Sequence, residues 1–162
     1  MTKSEKLQQI WHQYEIENDH QPSGTREAVV RAVKDGLLDL PVIDPFDVLA
    51  SQMAAALREE IQTDQNGRRY RVNHAVRVTE SGVQHTFWAT LGFAPHDHMV
   101  RAFAQRREQV IGDMLQLKTD VDVYNDLNRG TRPEIQLILD LTEDVAEKQA
   151  MQKIQPKSVS VA

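Results

Sequence analysis

The spacing of apolar positions changes twice along the chain, and each change marks a switch between kinds of secondary structure. Leu7, Ile10, Trp11 and Tyr14 fall at i, i+3, i+4 and i+7, which predicts a helix over 4–17 with a single apolar stripe. Asn18 to Gly24 is a polar loop with Pro22 and Gly24 as breakers. Thr25 stands where a second helix would be capped, Glu27 suits its first turn, and Val29, Val30, Val33 and Leu37 mark its expected buried side. Gly36 is a natural stop, and an apolar connector broken by Pro41 follows. Asp44-Pro45 is the clearest helix start in the chain, with the carboxylate placed to accept first-turn amides and proline at the first helical position. Phe46, Leu49, Met53, Leu57 and Ile61 then repeat on one face to residue 62.

After the turn cluster Asp64-Gln65-Asn66-Gly67 the period drops to two. Tyr70, Val72, His74, Val76 and Val78 alternate with Arg69, Arg71, Asn73, Ala75 and Arg77; beyond Ser81-Gly82, Phe87, Ala89, Leu91 and Phe93 alternate with Thr86, Trp88, Thr90 and Gly92. These are two strands of a hairpin. With Ser81-Gly82 as a two-residue turn, Tyr70 meets Phe93, Val72 meets Leu91, His74 meets Ala89 and Val76 meets Phe87, so the large apolar groups share one face. A loop one residue longer would set Val72 against Thr90 and Val76 against Thr86, mixing the faces, so burial selects the first register.

Past Pro95 the helical period returns. Val100, Phe103, Val110, Met114, Leu117, Val121 and Tyr124 predict one helix over about 97–128, roughly 48 Å if straight, which is longer than a small sheet can cover. It therefore bends near Gly112, or packs one end on the N-terminal helices or a second chain. Ile135, Leu137, Leu139 and Leu141 alternate with Gln136, Ile138 and Asp140 and predict a third strand; Thr142 is placed to cap a last helix to about 153. The expected class is α+β: an N-terminal three-helix unit (1–62), a ββαβα core with one long helix (63–153) and a flexible tail (154–162).

Composition adds two constraints. The 162 residues hold no cysteine, which removes disulfides, thiolate metal sites and thiol nucleophiles and fits a reducing compartment; the polar N-terminus has no signal-peptide core, so the expected location is cytoplasmic, without a membrane span. The net charge of −5 hides an asymmetry. Residues 1–62 carry six positive and eleven negative groups, whereas 68–107 carry seven arginines against Glu80 and Asp97. The basic charge is local and consists of guanidinium, so a general nucleic-acid coat is excluded but a single basic face is not.

That face is the chief candidate site. The hairpin presents Arg69, Arg71, Arg77 and Trp88 together on its polar side, and Arg101, Arg106 and Arg107 of the next helix extend the charge. Guanidinium groups pair phosphates bidentately, and an indole offers a stacking surface to a base. Alternating arginines also keep a sheet face soluble, and Arg106 and Arg107 lie about 100° apart on a helix, so both need not serve one surface.

Other patterns carry less. The connector 36–44 is too long for a helix-turn-helix, and the helix after it is acidic, with a lone Arg58 beside Glu59 and Glu60. His96-Asp97-His98 is the only histidine cluster, and on a helix its imidazoles diverge; His74 falls on the apolar face as a hydrogen-bonded core residue. The run from Asp120 lacks the glycine and glutamate of a calcium loop, and no nucleophile elbow, P-loop or dinucleotide fingerprint is present. The sequence thus predicts a non-enzymatic protein with no metal, cofactor or catalytic residue: a nucleic-acid-binding accessory protein or, alternatively, a homodimeric assembly or adaptor module binding a protein partner through its long helix and N-terminal helices.

Overall fold

A computed structural model describes residues 1–154, and the fold is α+β. Helices α1 (Lys3–Glu17), α2 (Thr25–Lys34) and α3 (Pro45–Glu59) come first. Short strands β1 (Ile61–Thr63) and β2 (Arg69–Arg71) and the longer β3 (Asn73–Glu80) and β4 (Val83–Thr90) follow, then α4 (His96–Leu127) and α5 (Thr142–Ile154). The tail expected at 154–162 lies, but for its first residue, outside the described residues. The chain divides into two compact units, Met1–Leu49 and Ala50 onward, so the C-terminal half of α3 belongs with the strands.

In the first unit α1 opens on a full capping box. Thr2 accepts from the Glu5 amide at 3.2 Å while the Glu5 carboxylate accepts from the Thr2 amide at 2.6 Å. Its partner α2 is capped by Gly24 rather than by Thr25, which is the first helical residue. The buried face of α2 is Ala28 and Ala32; Val29 and Val30 remain exposed, because small alanines let the two helices approach closely. Arg31 ties the pair together through Glu17 at 2.5 Å.

The β3–β4 hairpin has the register that burial required: His74 faces Ala89, Val76 faces Phe87 and Arg77 faces Thr86. Ser81 and Gly82 both take positive φ (49° and 78°), the geometry of a type I′ turn whose twist suits a two-residue hairpin. Pairing continues one step further, with the Leu91 amide donating to the Val72 carbonyl at 2.8 Å, and then stops.

Tyr70 does not meet Phe93. Asp64 accepts from the Asn66 and Arg68 amides at 2.9 and 2.8 Å, and the resulting turn, with Gly67 at φ 78°, folds β2 back onto β1, so that Tyr70 faces Gln62. The helix expected to reach 62 therefore ends at Glu59, and 61–63 is a strand. Phe93 sits in a turn closed by Ala94 onto Thr90 and is 92% exposed.

Helix α4 runs unbroken for 32 residues. Its first turns bury Met99 and Ala102, and Phe103 meets the His74 ring edge-on at 5.2 Å. At Gln105 it reaches the edge of β3. The carboxamide accepts from the Arg77 amide at 2.9 Å and donates to the Arg77 carbonyl at 2.8 Å, occupying main-chain groups that β3 turns away from β4.

The expected third strand at 135–141 does not form. Helix α4 carries the chain away from the hairpin, Gln105 occupies the edge of β3, and Pro133 lacks an amide to donate. A second carboxamide holds the segment instead: Asn125 donates to the Ile135 carbonyl and accepts from its amide, both at 2.9 Å. Leu137 and Leu139 are half-buried and Ile138 is exposed, so the alternation survives without a ladder. Thr142 begins α5 rather than capping it, and the Asp140 carboxylate accepts from its amide at 3.2 Å. Among the described residues no helix is long and apolar enough to cross a membrane.

Candidate functional site

The polar face of the hairpin forms the floor of a cleft. Along β3, Asn73, Ala75 and Arg77 point to one side, and Arg71 precedes them in phase. The register places Trp88 opposite Ala75 and Thr86 opposite Arg77, so both join the same face. Because α4 passes the β3 edge at Gln105, its next turn brings Arg106 and Gln109 to this side, and the last turn of α3 adds Arg58. The cleft is open to solvent and its volume is about 190 Å3.

Four guanidinium groups thus converge on one cleft: Arg58, Arg71, Arg77 and Arg106. No carboxylate lines it, and among the described residues none of the four makes a salt bridge. Elsewhere Arg31 pairs with Glu17, Arg68 with Asp64, Arg107 with Glu108 and Arg129 with Asp126, while Arg26, Arg69, Arg101 and Arg132 also make no salt bridge among the described residues. The Arg58 guanidinium lies 5.5 Å from the ring centroid of the half-buried Trp88, a cation–π pairing that fixes the indole's surroundings. Asn73 is committed to the wall, donating to the Leu57 carbonyl at 3.3 Å and to the Glu60 carboxylate at 2.6 Å.

Two further hollows adjoin the cleft through shared residues. One, containing Arg69, Tyr70 and Phe103, shares Arg71, His74 and Arg106 with it; the other, containing Arg107 and Glu108, shares Arg77, Gln105 and Gln109. The hairpin arginines and Trp88 therefore lie along one basic track with Arg106 and Arg107. Arg71 and Arg77 are six nearly extended residues apart, about 20 Å. Arg107 is drawn toward Glu108 at 3.4 Å, and Arg101 lines none of the three hollows.

The like charges perturb one another. Burial and the neighbouring Arg71 draw Arg106 below the ordinary arginine range, although the group stays cationic. His74 is held below the usual imidazole value, first by burial and then by the charges of Arg106, Arg71 and His98, against a hydrogen bond to the Arg71 backbone that acts the other way. At both groups burial is the larger cause, and the neighbouring positive charges add to it.

Sequence reasoning missed Arg58, Gln105 and Gln109 as cleft residues. Arg58 was hidden by its acidic neighbours, and its distance in sequence from the hairpin gives no sign that the last turn of α3 returns to Trp88. Nor does periodicity distinguish Gln105 from any polar residue on the margin of a helix stripe. Comparison with protein-family models, curated proteins and solved structures finds no match to this chain.

Proposed function

We propose that the protein binds single-stranded nucleic acid along this basic track. The observation that carries the reading is the convergence of Arg58, Arg71, Arg77 and Arg106 around Trp88 with no carboxylate among the lining residues. Guanidinium groups supply bidentate donors to phosphate oxygens, and the indole supplies a stacking surface that every base can use. A half-buried ring inside a cleft reaches a splayed base but not one stacked within a duplex, which favours single strands. The acidic remainder of the chain confines polyanion binding to this face.

The test is fluorescence anisotropy with a labelled single-stranded oligonucleotide over a salt series. The parent binds with a log–log slope near −3, from about 0.7 for each of four phosphate contacts. The double variant Arg71→Ala/Arg77→Ala binds more weakly and its slope shrinks by about 1.4. Absence of binding by the parent at low salt, or an unchanged slope in the variant, removes the reading.

A second reading, self-association, is favoured by the apolar side chains that α4 leaves in solvent beyond the cleft: Val110, Leu115 at 67% exposure, Leu117 and Leu127. In that reading a second copy covers them. A strictly monomeric mass by light scattering at micromolar concentration removes it.

A further inference from the structure

The outer edge of β4 is open. In a hairpin with a two-residue turn the residues flanking the turn exchange main-chain bonds, so Val83, His85, Phe87 and Ala89 bond to β3 while the amides and carbonyls of Gln84, Thr86 and Trp88 point the other way. Among the described residues no hydrogen bond engages those outward groups. The corresponding edge of β3 is closed by Gln105. Free edges are ordinarily blunted by charge, proline or a bulge. Residues 83–90 hold no Lys, Arg, Asp, Glu or Pro, and the register with β3 is unbroken.

The chain also contains the converse, a strand pattern without an edge. Residues 135–141 alternate, Ile138 is exposed, and among the described residues the main chain of 136–140 makes no hydrogen bond. The segment is out of reach of its own β4. Asn125 clasps Ile135 about 30 Å along α4 from Gln105, whereas the stretch from Ile135 to Leu141 spans about 20 Å at full extension.

We infer that the open edge and the unpaired segment are two halves of one interface between two copies of this chain: residues 135–141 of each copy add a strand to β4 of the other. The inference rests on the self-association reading. The charge along α4 selects a second copy as the occupant. Its first half (96–111) carries three arginines against two carboxylates, and its second half (112–127) carries four aspartates against one lysine. Two α4 helices laid antiparallel therefore bring unlike halves together. The same arrangement carries the Asn125 end, which holds the segment, toward the Gln105 end, which holds the hairpin of the other copy. The contact is identical in both directions and closes as a twofold dimer. In the added strand Ile135, Leu137, Leu139 and Leu141 continue the apolar face of Val83 and Phe87, both more than half exposed in the single chain. Gln136, Ile138 and Asp140 then stand at the margin of the cleft, beside Thr86 and Trp88.

The experiment exploits the lack of native cysteine. Full-length Thr86→Cys is mixed under mild oxidation with Gln136→Cys, Ile138→Cys or Asp140→Cys, and disulfides between chains are read on a non-reducing gel. Light scattering gives the mass of the parent at the same concentrations. The parent is expected to be a dimer, and at least one mixture should yield a heterodimeric disulfide that neither variant forms alone. A dimeric parent whose mixtures form none overturns the exchange and leaves self-association standing. Thr86→Cys linking to itself would show β4 pairing with β4, which also overturns the exchange. A strictly monomeric parent overturns both. Should a cysteine variant fail to fold, hydrogen exchange on the unaltered protein decides. The amides of Gln84, Thr86 and Trp88 must exchange more slowly at concentrations where the parent is dimeric than after dilution, and rates independent of concentration overturn the exchange.

Discussion

Gln105 holds α4 to the edge of β3, and replacing it with methionine isolates that function. Methionine keeps the length and the apolar stem of the side chain while removing the donor and the acceptor that meet the Arg77 main chain at 2.8 and 2.9 Å. Each such bond contributes about 0.5–1.5 kcal/mol net, and water can reach this strand edge, so the pair contributes about 1–2 kcal/mol. For a chain of this size, 1 kcal/mol moves the melting temperature by about 2–4 °C, which places the expected drop near 4 °C. The Arg77 amide should also exchange with solvent faster than in the parent, while amides paired within β3–β4, such as that of Val76, follow only the global change. Because Arg106 is the next residue, loosening the clamp should weaken oligonucleotide binding. The number of arginines is unchanged, so the salt slope should persist. Calorimetry, hydrogen exchange and the anisotropy series read these effects separately. A melting temperature unchanged in Gln105→Met, with Arg77 exchanging no faster, would refute the clamp.

Arg106→Met removes a charge that partial burial and the neighbouring Arg71 both disfavour, so thermal stability should hold or rise slightly while oligonucleotide affinity falls; a destabilised variant would show that Arg106 serves the fold instead. Gly82→Val forces a β-branched residue to the positive φ of the type I′ turn and should destabilise the hairpin by about 1–3 kcal/mol in urea titrations, whereas Ser81→Asn should be neutral or mildly stabilising. For His74 the folded state holds the titration point below that of the unfolded chain, so the unfolded state binds more protons in that window. Stability without ligand should then be complete above about pH 6.5 and decline as pH falls toward the depressed value, a decline absent in His74→Phe; identical profiles would contradict the burial of the ring.

Much of the hairpin was legible because its rules are local. One apolar face and a Ser-Gly turn leave a single register for Val76, His74 and Phe87, and that register alone places Trp88 among arginines. The start of α3 was equally legible, since Asp44 accepts from the Phe46 amide at 2.9 Å as its sequence signature implies. The reading failed where a competing partner decided the outcome. Tyr70 fitted an extended hairpin, but the Asp64 turn offered β2 a nearer partner in β1. Ile135 to Leu141 carries strand alternation, yet a strand needs an edge to pair with. Alternation records which side chains are buried, and it is silent on whether the main chain finds a ladder or the carboxamide of Asn125.

The cleft itself was half legible. Alternation grouped Arg71, Arg77 and Trp88, whereas Arg58 and Gln109 arrive through tertiary packing that no spacing in the chain encodes.

The most direct test follows the two indole N–H resonances of the full chain as a single-stranded oligonucleotide is added. Trp88 lies in the cleft, and Trp11, on α1 in the other unit, serves as an internal control. The account predicts that the Trp88 resonance shifts in a saturable manner and that the shift fades with added salt, while Trp11 stays in place. A Trp88 resonance that does not move at saturating oligonucleotide and low salt would contradict it.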